Sequence, residues 1–432
     1  MKRNTTASEA ILQSAESKTG FFYGYFVIMA SFLIMFVMWG VQFSFGVFFK
    51  PILGDFGWTR AMTSGAYSLC TIMNGLLAIA MGGLTDKFGP RLVMTFCGIF
   101  LGLGYFLMSR LDAIWQLYLF YGIIIGIGMS GSFIPLVSTV VRWFVHRRGV
   151  MTGIVAAGTG VGALFGPPVA NFLISKFSWR ISFLIIGGIT FAVIVLSAQI
   201  LRRDPAQVGQ RPYGENREDK NKKDMQSEGL SLMEALFMGR FWIFFAACFC
   251  YGFCVFAIMV HIVPHAIELG FSSARAANMM ATIGASAVIG KVLLGRMADI
   301  WGSRELMMFS FILMAISLFC LMIVKNFWIM HLALGGFGLA YGGCAVSHSP
   351  IVATLFGLKA HGLIFGILGV GVAIGGAIGP FLTGYVFDIT ESYQLAFLAG
   401  TVISFAGFIL SAILKSLHIA LRPGVAQPID SF

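Results

Sequence analysis

Residues 82–91 read GGLTDKFGPR, and residues 295–304 read GRMADIWGSR. The two stretches share Gly82 with Gly295, Asp86 with Asp299, Gly89 with Gly302 and Arg91 with Arg304, at a constant offset of 213. The same offset carries Pro51 and Gly57 onto Pro264 and Gly270. Further along it carries Gly149, Gly153, Gly158, Gly162, Gly166 and Pro167 onto Gly362, Gly366, Gly371, Gly375, Gly379 and Pro380. One offset held without gaps over so long a stretch, mostly at residues that determine backbone geometry, marks a structure built twice.

Both copies are strongly apolar. The chain is 58% hydrophobic and 11% charged, with a mean hydropathy of +0.87, a composition that cannot leave its surface in water. Apolar runs long enough to cross a bilayer fall at about 23–43, 62–83, 92–109, 115–137, 149–172 and 181–201. A second set falls at about 242–266, 277–298, 304–323, 328–350, 362–384 and 393–416. The expected fold is an all-α membrane protein with twelve transmembrane helices in two pseudo-symmetric six-helix bundles, residues 1–201 and 237–432. A polar, charge-rich linker, 202–236, joins them.

The first span follows about twenty polar residues without a small-residue cleavage site, so it reads as a retained helix rather than a signal peptide. Both termini then lie on one side. With that side cytoplasmic, 21 of the 29 Lys and Arg fall inside, 7 outside and one, Lys291, within a span. The formal charge of +11 is therefore a topology signal and no argument for nucleic acid. The seven cysteines lie almost entirely within spans, where they act as small apolar residues, so no disulfide or metal framework and no cofactor is implied. No extramembrane segment is large enough for a catalytic domain, and no Ser/His/Asp, Cys/His or metal constellation has supporting context. An enzyme is not expected. Gly126, Gly128 and Gly131 spell G-x-G-x-x-G, but within a span and without a preceding strand, so they do not read as a dinucleotide site.

The repeated spacing G-x-x-x-D-x-x-G-x-R resembles the cytoplasmic signature of the major facilitator superfamily, a resemblance that covers nearly the whole chain. It implies the major facilitator fold and a conformational role for Asp86, Arg91, Asp299 and Arg304, whose charge-assisted bonds close the cytoplasmic seam. In the fifth and eleventh spans Gly158, Gly162 and Gly166, and Gly371, Gly375 and Gly379, recur every four residues on one helical face. They are expected to let backbones approach across the two halves, in a smooth contact that can rock.

A narrower resemblance rests on Trp143, Phe144, His146, Arg147, Arg148, Gly153, Ala157 and Gly158, which look like the helix 4 to 5 signature of the monocarboxylate transporter family. Val150 and Met151 stand where that pattern prefers Leu and Ala. Tyr23, Gly24 and Tyr25 give part of its opening signature, with Gly20 where an acid is expected. Phe45 to Arg60, with Pro51, Phe56, Gly57 and Trp58, resembles bacterial members. By its spacing to Gly295, Lys291 holds the place of the family's substrate-binding Arg, which the resemblance implies grips a carboxylate. Lysine supplies the charge without the bidentate fork. The family's proton-coupling Asp is replaced by Met280, and its helix 1 Lys falls at about Phe43.

An ionisable residue deep in a span is a functional candidate by default, and Lys291 lies eight residues, roughly 12 Å of helix, before Asp299. No Asp or Glu lies as deep; Glu268 comes closest. Tyr121 and Tyr341 come from segments whose family counterparts face the central cavity, and a Tyr hydroxyl suits a small carboxylate. His261 and His265, four apart, share a helical face. His261 is a candidate for substrate or proton, while His265 and His348 read as interface histidines.

The resulting expectation is a secondary transporter of the bacterial inner membrane, monomeric, with both termini cytoplasmic, moving a lactate- or pyruvate-type monocarboxylate by alternating access, with a proton. Lys291 itself would release a proton when the site is empty and regain it with the anion. The alternatives are an oxalate/formate-type anion exchanger and, from another class, a non-transporting nutrient receptor, against which the short tails and linker argue.

Overall fold

A computed structural model describes residues 22–144, 148–214, 230–357 and 360–419. The expected signature residues His146 and Arg147, the side chain of Arg148 and most of the charged linker lie outside them, as does the side chain of Asp299. Twelve helices among the described residues are long and apolar enough to cross a membrane. They are α1 Gly24–Phe56, α2 Arg60–Phe88, α3 Pro90–Met108, α4 Ile114–Trp143, α5 Arg148–Lys176 and α6 Trp179–Ile200, then α7 Gly239–Glu268, α8 Ser273–Trp301, α9 Ser303–Ile323, α10 Phe327–Phe356, α11 His361–Thr390 and α12 Gln394–Ile419. We call the end where α1 begins the near end and the other the far end.

The repeat is visible in how the helices start and stop. Gly57 and Gly270, at φ +66° and +88°, sit in the left-handed region and turn the chain into α2 and α8. Thr59 and Ser272, again 213 apart, cap those helices by accepting from Met62 N at 3.2 Å and Arg275 N at 3.4 Å. Pairings recur in the same way: α1 packs on α5 and α7 on α11, α3 on α6 and α9 on α12, α2 on α4 and α8 on α10. Two further pairings, α2 with α11 and α5 with α8, join the first six helices to the last six.

Two helices depart from the sequence reading. The first apolar run ends near residue 43, yet α1 continues to Phe56, with only Ser44 marking a break, its Oγ donating to Gly40 O at 2.7 Å. The extension persists because Phe45, Val47, Phe48, Phe49 and Ile52 are buried, some of them against α5 and α7. In α4 a π-helical stretch, Tyr118–Ile125, precedes Gly126, Gly128 and Gly131. A Cβ on Gly126 would meet Met73 and Cys70 of α2, and one on Gly128 would meet Leu101 of α3. These glycines serve close helix packing.

Candidate functional site

Small residues decide where Lys291 reaches. A Cβ on Gly290 would lie 2.6 Å from the Leu339 carbonyl oxygen of α10, and a Cβ on Gly160 of α5 would lie 2.5 Å from Val288 of α8. With three backbones this close, the Lys291 side chain crosses the α5–α8 seam. Its Nζ donates to Thr159 Oγ1 at 2.5 Å and to Ala156 O at 3.3 Å, and stands 5.4 Å from the Tyr341 ring centroid. Among the described residues no carboxylate pairs with it. The ammonium is hydrogen-bonded, but no carboxylate among the described residues compensates its charge, an arrangement that costs several kcal/mol away from water.

From the cation an aromatic path leads to a cavity. Tyr341 stacks on Tyr251 at 6.2 Å, and the His348 ring meets Tyr251 edge-on at 4.9 Å. Tyr251 and His348 line a cavity of ≈ 270 Å³ between the two sets of six helices, together with Trp39, Thr71, Asn74 and Phe365. The His348 Nε2 and Trp39 Nε1 atoms are buried without a hydrogen-bond partner among the described residues. Each such group costs about 1–3 kcal/mol, which a polar cargo atom can recover. The volume falls at or just below the small end of ligand pockets. Ala78, Gly369 and Val372 also line it, and these are the 213-offset counterparts of Lys291, Ala156 and Thr159. The cavity thus occupies, in the α2–α11 seam, the place that the lysine contact fills in the α5–α8 seam.

At the far end the α2–α11 seam is clamped. The Asp388 carboxylate of α11 accepts from the Arg60 and Ala61 backbone N–H groups at 2.9 and 2.7 Å, capping α2 from across the seam. The Arg60 side chain donates to Tyr393 Oη at 2.5 Å and to Glu268 at 2.7 Å, with its guanidinium carbon 3.6 Å from the Phe387 ring centroid. Lys50 Nζ joins Glu268 at 3.1 Å.

Lys291 and Tyr341 are therefore brought together. Tyr121 and His261 are not with them. Tyr121 is buried within the first six helices, its hydroxyl donating to Gln42 Oε1 at 3.4 Å and its ring 4.5 Å from Phe45. His261 is enclosed beneath the clamp: Nε2–H donates to Pro380 O at 2.9 Å and Nδ1 accepts from Tyr393 Oη at 3.3 Å, so neither nitrogen is free for cargo. His265, read from the sequence as an interface histidine, is buried between Tyr393 and Phe397. His348, read the same way, is instead a wall of the cavity.

The near-end motif residues of the first repeat, Asp86 and Arg91, bond within the first six helices. Asp86 accepts from Arg142 Nη2 at 2.6 Å, and Arg91 Nε donates to Gln199 at 2.7 Å. Asp299 and Arg304 stand at the matching α8–α9 turn, where Gly302 has φ +98°. The expectation for the glycine faces is corrected. Gly158 and Gly162 press on Phe32, Phe36 and Gly40 of α1, and Gly371 and Gly375 press on Phe245 and Phe249 of α7, so all four serve contacts within a half. Close approaches across the seams include Gly160 with Gly284, Gly75 with Ala373 and Gly384 with Ala61 and Ser64. Sequence reading missed these, along with Thr159, Trp39 and the Arg60–Asp388 clamp. Gly160 lies only two residues from Gly158, on another face of the same helix, and an alternation of small residues on two faces was the signal available.

The profile of the Major Facilitator Superfamily matches residues 29–290 and 262–427. Over most of its length the chain is similar to monocarboxylate transporter 13 of Bos taurus, 25% identical with 89% of this chain and 88% of the relative covered. It is likewise similar to human monocarboxylate transporter 7, 24% identical with 94% and 88% covered. Another relative is the agnestins efflux protein AgnL12 of Paecilomyces divaricatus, 26% identical with 90% and 87% covered. Among solved structures, a bacterial homolog of the human lysosomal transporter Spinster, in an inward-facing and occupied conformation, superposes with a TM-score of 0.69 at 16% identity, covering 92% of this chain and 98% of that one. This last likeness concerns the fold. With the family profile matched along nearly all of a chain whose described residues form twelve helices able to cross a membrane, the protein belongs to the Major Facilitator Superfamily and is a membrane transporter, not an enzyme.

Proposed function

We propose that the protein is a monomeric secondary transporter of a small monocarboxylate of the lactate or pyruvate type, acting by alternating access in the bacterial inner membrane. The observation that carries the reading is Lys291, an ammonium within a span that meets a hydroxyl, a carbonyl and the Tyr341 ring but, among the described residues, no carboxylate. A single uncompensated cation matches a single carboxylate. Tyr341 and the two unpartnered ring nitrogens of Trp39 and His348 supply the orientation that a lysine lacks. The names of the monocarboxylate transporter relatives agree with this class.

Both termini are taken as cytoplasmic, so the near end faces the cytoplasm. The clamp at Arg60 and Asp388 then closes the outer side while the cavity lies toward the inner one. Residues 1–201 rock against 237–432, with 202–236 as the linker, over the close contacts Gly160–Gly284 and Gly75–Ala373. No Asp or Glu occupies the middle of a span, so the proton travels on Lys291 itself: the amine gives it up when empty and regains it with the anion, making the step electroneutral. Uptake of labelled monocarboxylates into proteoliposomes tests the proposal. An imposed inward proton gradient should accelerate uptake, and gradient-independent exchange would favour the anion exchanger instead.

A further inference from the structure

The near end of the first six helices holds a second site, remote in function from the lysine. The α2–α3 turn and the residues around the end of α6 border an open cleft of ≈ 670 Å³ lined by Arg91, Arg202 and Arg203. Arg91 Nε donates to the neutral Gln199 amide, and Arg202 Nη1 donates to the Gln199 and Leu201 carbonyls at 2.9 and 3.2 Å. Among the described residues neither meets a carboxylate. Arg203 Nε stands 3.4 Å from Asp204, but that carboxylate is shared with Arg142, which also holds Asp86. Two acids therefore serve four arginines, and the surplus positive charge lies around the cleft.

Backbone geometry adds to the charge. α3 begins in this wall with Gly89 at the N-cap, a residue with no side chain to offer, followed by Pro90, which has no N–H. The next N–H groups and the positive end of the helix dipole are left for a ligand. The rim is apolar: Phe88 and Leu92 are 52% and 61% exposed, at the level where α2 and α6 end and α3 begins. An anion that reaches this place from the bilayer presents a phosphate to the arginines and a chain to Phe88 and Leu92.

We propose that this cleft binds the phosphate group of an anionic lipid headgroup. Free phosphate shares the chemistry but has no use for the apolar rim. The test uses the purified, delipidated full chain, followed by thermal shift and native mass spectrometry with phosphatidylglycerol, phosphatidylcholine or inorganic phosphate. Phosphatidylglycerol should bind and raise Tm, phosphatidylcholine should do neither at equal concentration, and inorganic phosphate in tenfold excess should neither mimic nor displace the lipid. Each of R91Q and R203Q should weaken phosphatidylglycerol binding about fivefold and the double variant about 25-fold, while R91K with R203K stays close to wild type. Should the double variant fail to fold, the two single variants decide. Equal responses to the two lipids, or undiminished phosphatidylglycerol binding in both single variants, would overturn the site. A shift reproduced by inorganic phosphate alone would overturn the lipid as its occupant.

Discussion

The α5–α8 and α2–α11 seams are related by the same 213-residue offset, yet they are built for opposite purposes. In the first, Lys291 reaches from α8 to Thr159 and Ala156 on α5. In the second, the equivalent Ala78, Val372 and Gly369 leave a cavity, and the polar contacts have moved to the far end, where Asp388 caps α2 and Arg60 binds Tyr393 and Glu268. The offset counterparts of Arg60 and Asp388 are Ser273 and Ser175, which carry no charge. A duplicated scaffold supplies two similar seams, and side-chain divergence gives one a buried cation and the other a far-end clamp; on the function proposed above these are an anion receptor and a latch.

Removing the cation should have the largest effect. Lys291→Ala leaves the α5–α8 seam as neutral as its partner and should abolish monocarboxylate binding and uptake, a loss of about 100-fold or more. Lys291→Arg keeps the charge and should retain part of the activity, because the family that this chain resembles places Arg there. Equilibrium binding of labelled lactate or pyruvate, measured beside uptake, checks both. Full uptake by Lys291→Ala would falsify the assignment of this seam.

The next largest effect should come from the latch. Arg60→Ala removes two charge-assisted bonds and a close cation–π contact, each worth about 1–3 kcal/mol when partly desolvated. The far-closed form should lose about tenfold or more of its population. A cysteine replacing Ser64, which lies against Gly384 of α11, should then be modified faster by an impermeant reagent added outside. Ser273→Ala, at the matching place in the other seam, should leave reactivity at Ser64→Cys unchanged. If both variants act alike, the seams are not specialised.

How much of this contrast could be read from sequence follows from what kind of residue carries it. The repeat and the number of helices were legible because Gly57, Gly270, Gly89 and Gly302 hold backbone conformations that few other residues accept. Lys291 was legible because a charge in an apolar run stands out against its neighbours. The latch was not, since Arg60, Asp388 and Glu268 sit at helix ends where charges are ordinary, and sequence gives no sign that residues 328 positions apart meet. His348 and Trp39 were lost for the opposite reason: both suit a membrane interface, and only packing shows them walling a cavity. The glycine stripes misled because periodicity identifies a close-packed face without naming the helix it faces.

Discrimination among anions sharpens the receptor side. α11 carries no Lys or Arg from Gly362 to Gly384, so a dicarboxylate brought beside Lys291 keeps one charge desolvated and unpaired. Oxalate should compete with lactate or pyruvate at least about tenfold more weakly at pH 7. Oxalate binding more tightly than either would mean that a second cation serves the site, and the division between a charged seam and a neutral one would fail.

The smallest effect is expected at Asp86. Its bond to Arg142 joins α2 to α4 within one half, and the carboxylate is 60% exposed, so the pair contributes little to stability here, about 0–1 kcal/mol. The family signature nevertheless assigns this residue to closing the near end, a state in which the far-end latch must be open. Asp86→Asn should therefore act on the rate of interconversion. It should slow uptake a fewfold while leaving equilibrium monocarboxylate binding within about twofold, since Lys291 and the cavity walls are untouched. The opposite pattern, weakened binding with unchanged exchange kinetics, would place Asp86 with the receptor and leave the near end without a counterpart to the Arg60–Asp388 latch. Combining Asp86→Asn with Arg60→Ala separates these outcomes further: two latches on opposite faces of one cycle should offset each other in cysteine accessibility at position 64, whereas unrelated sites should simply add.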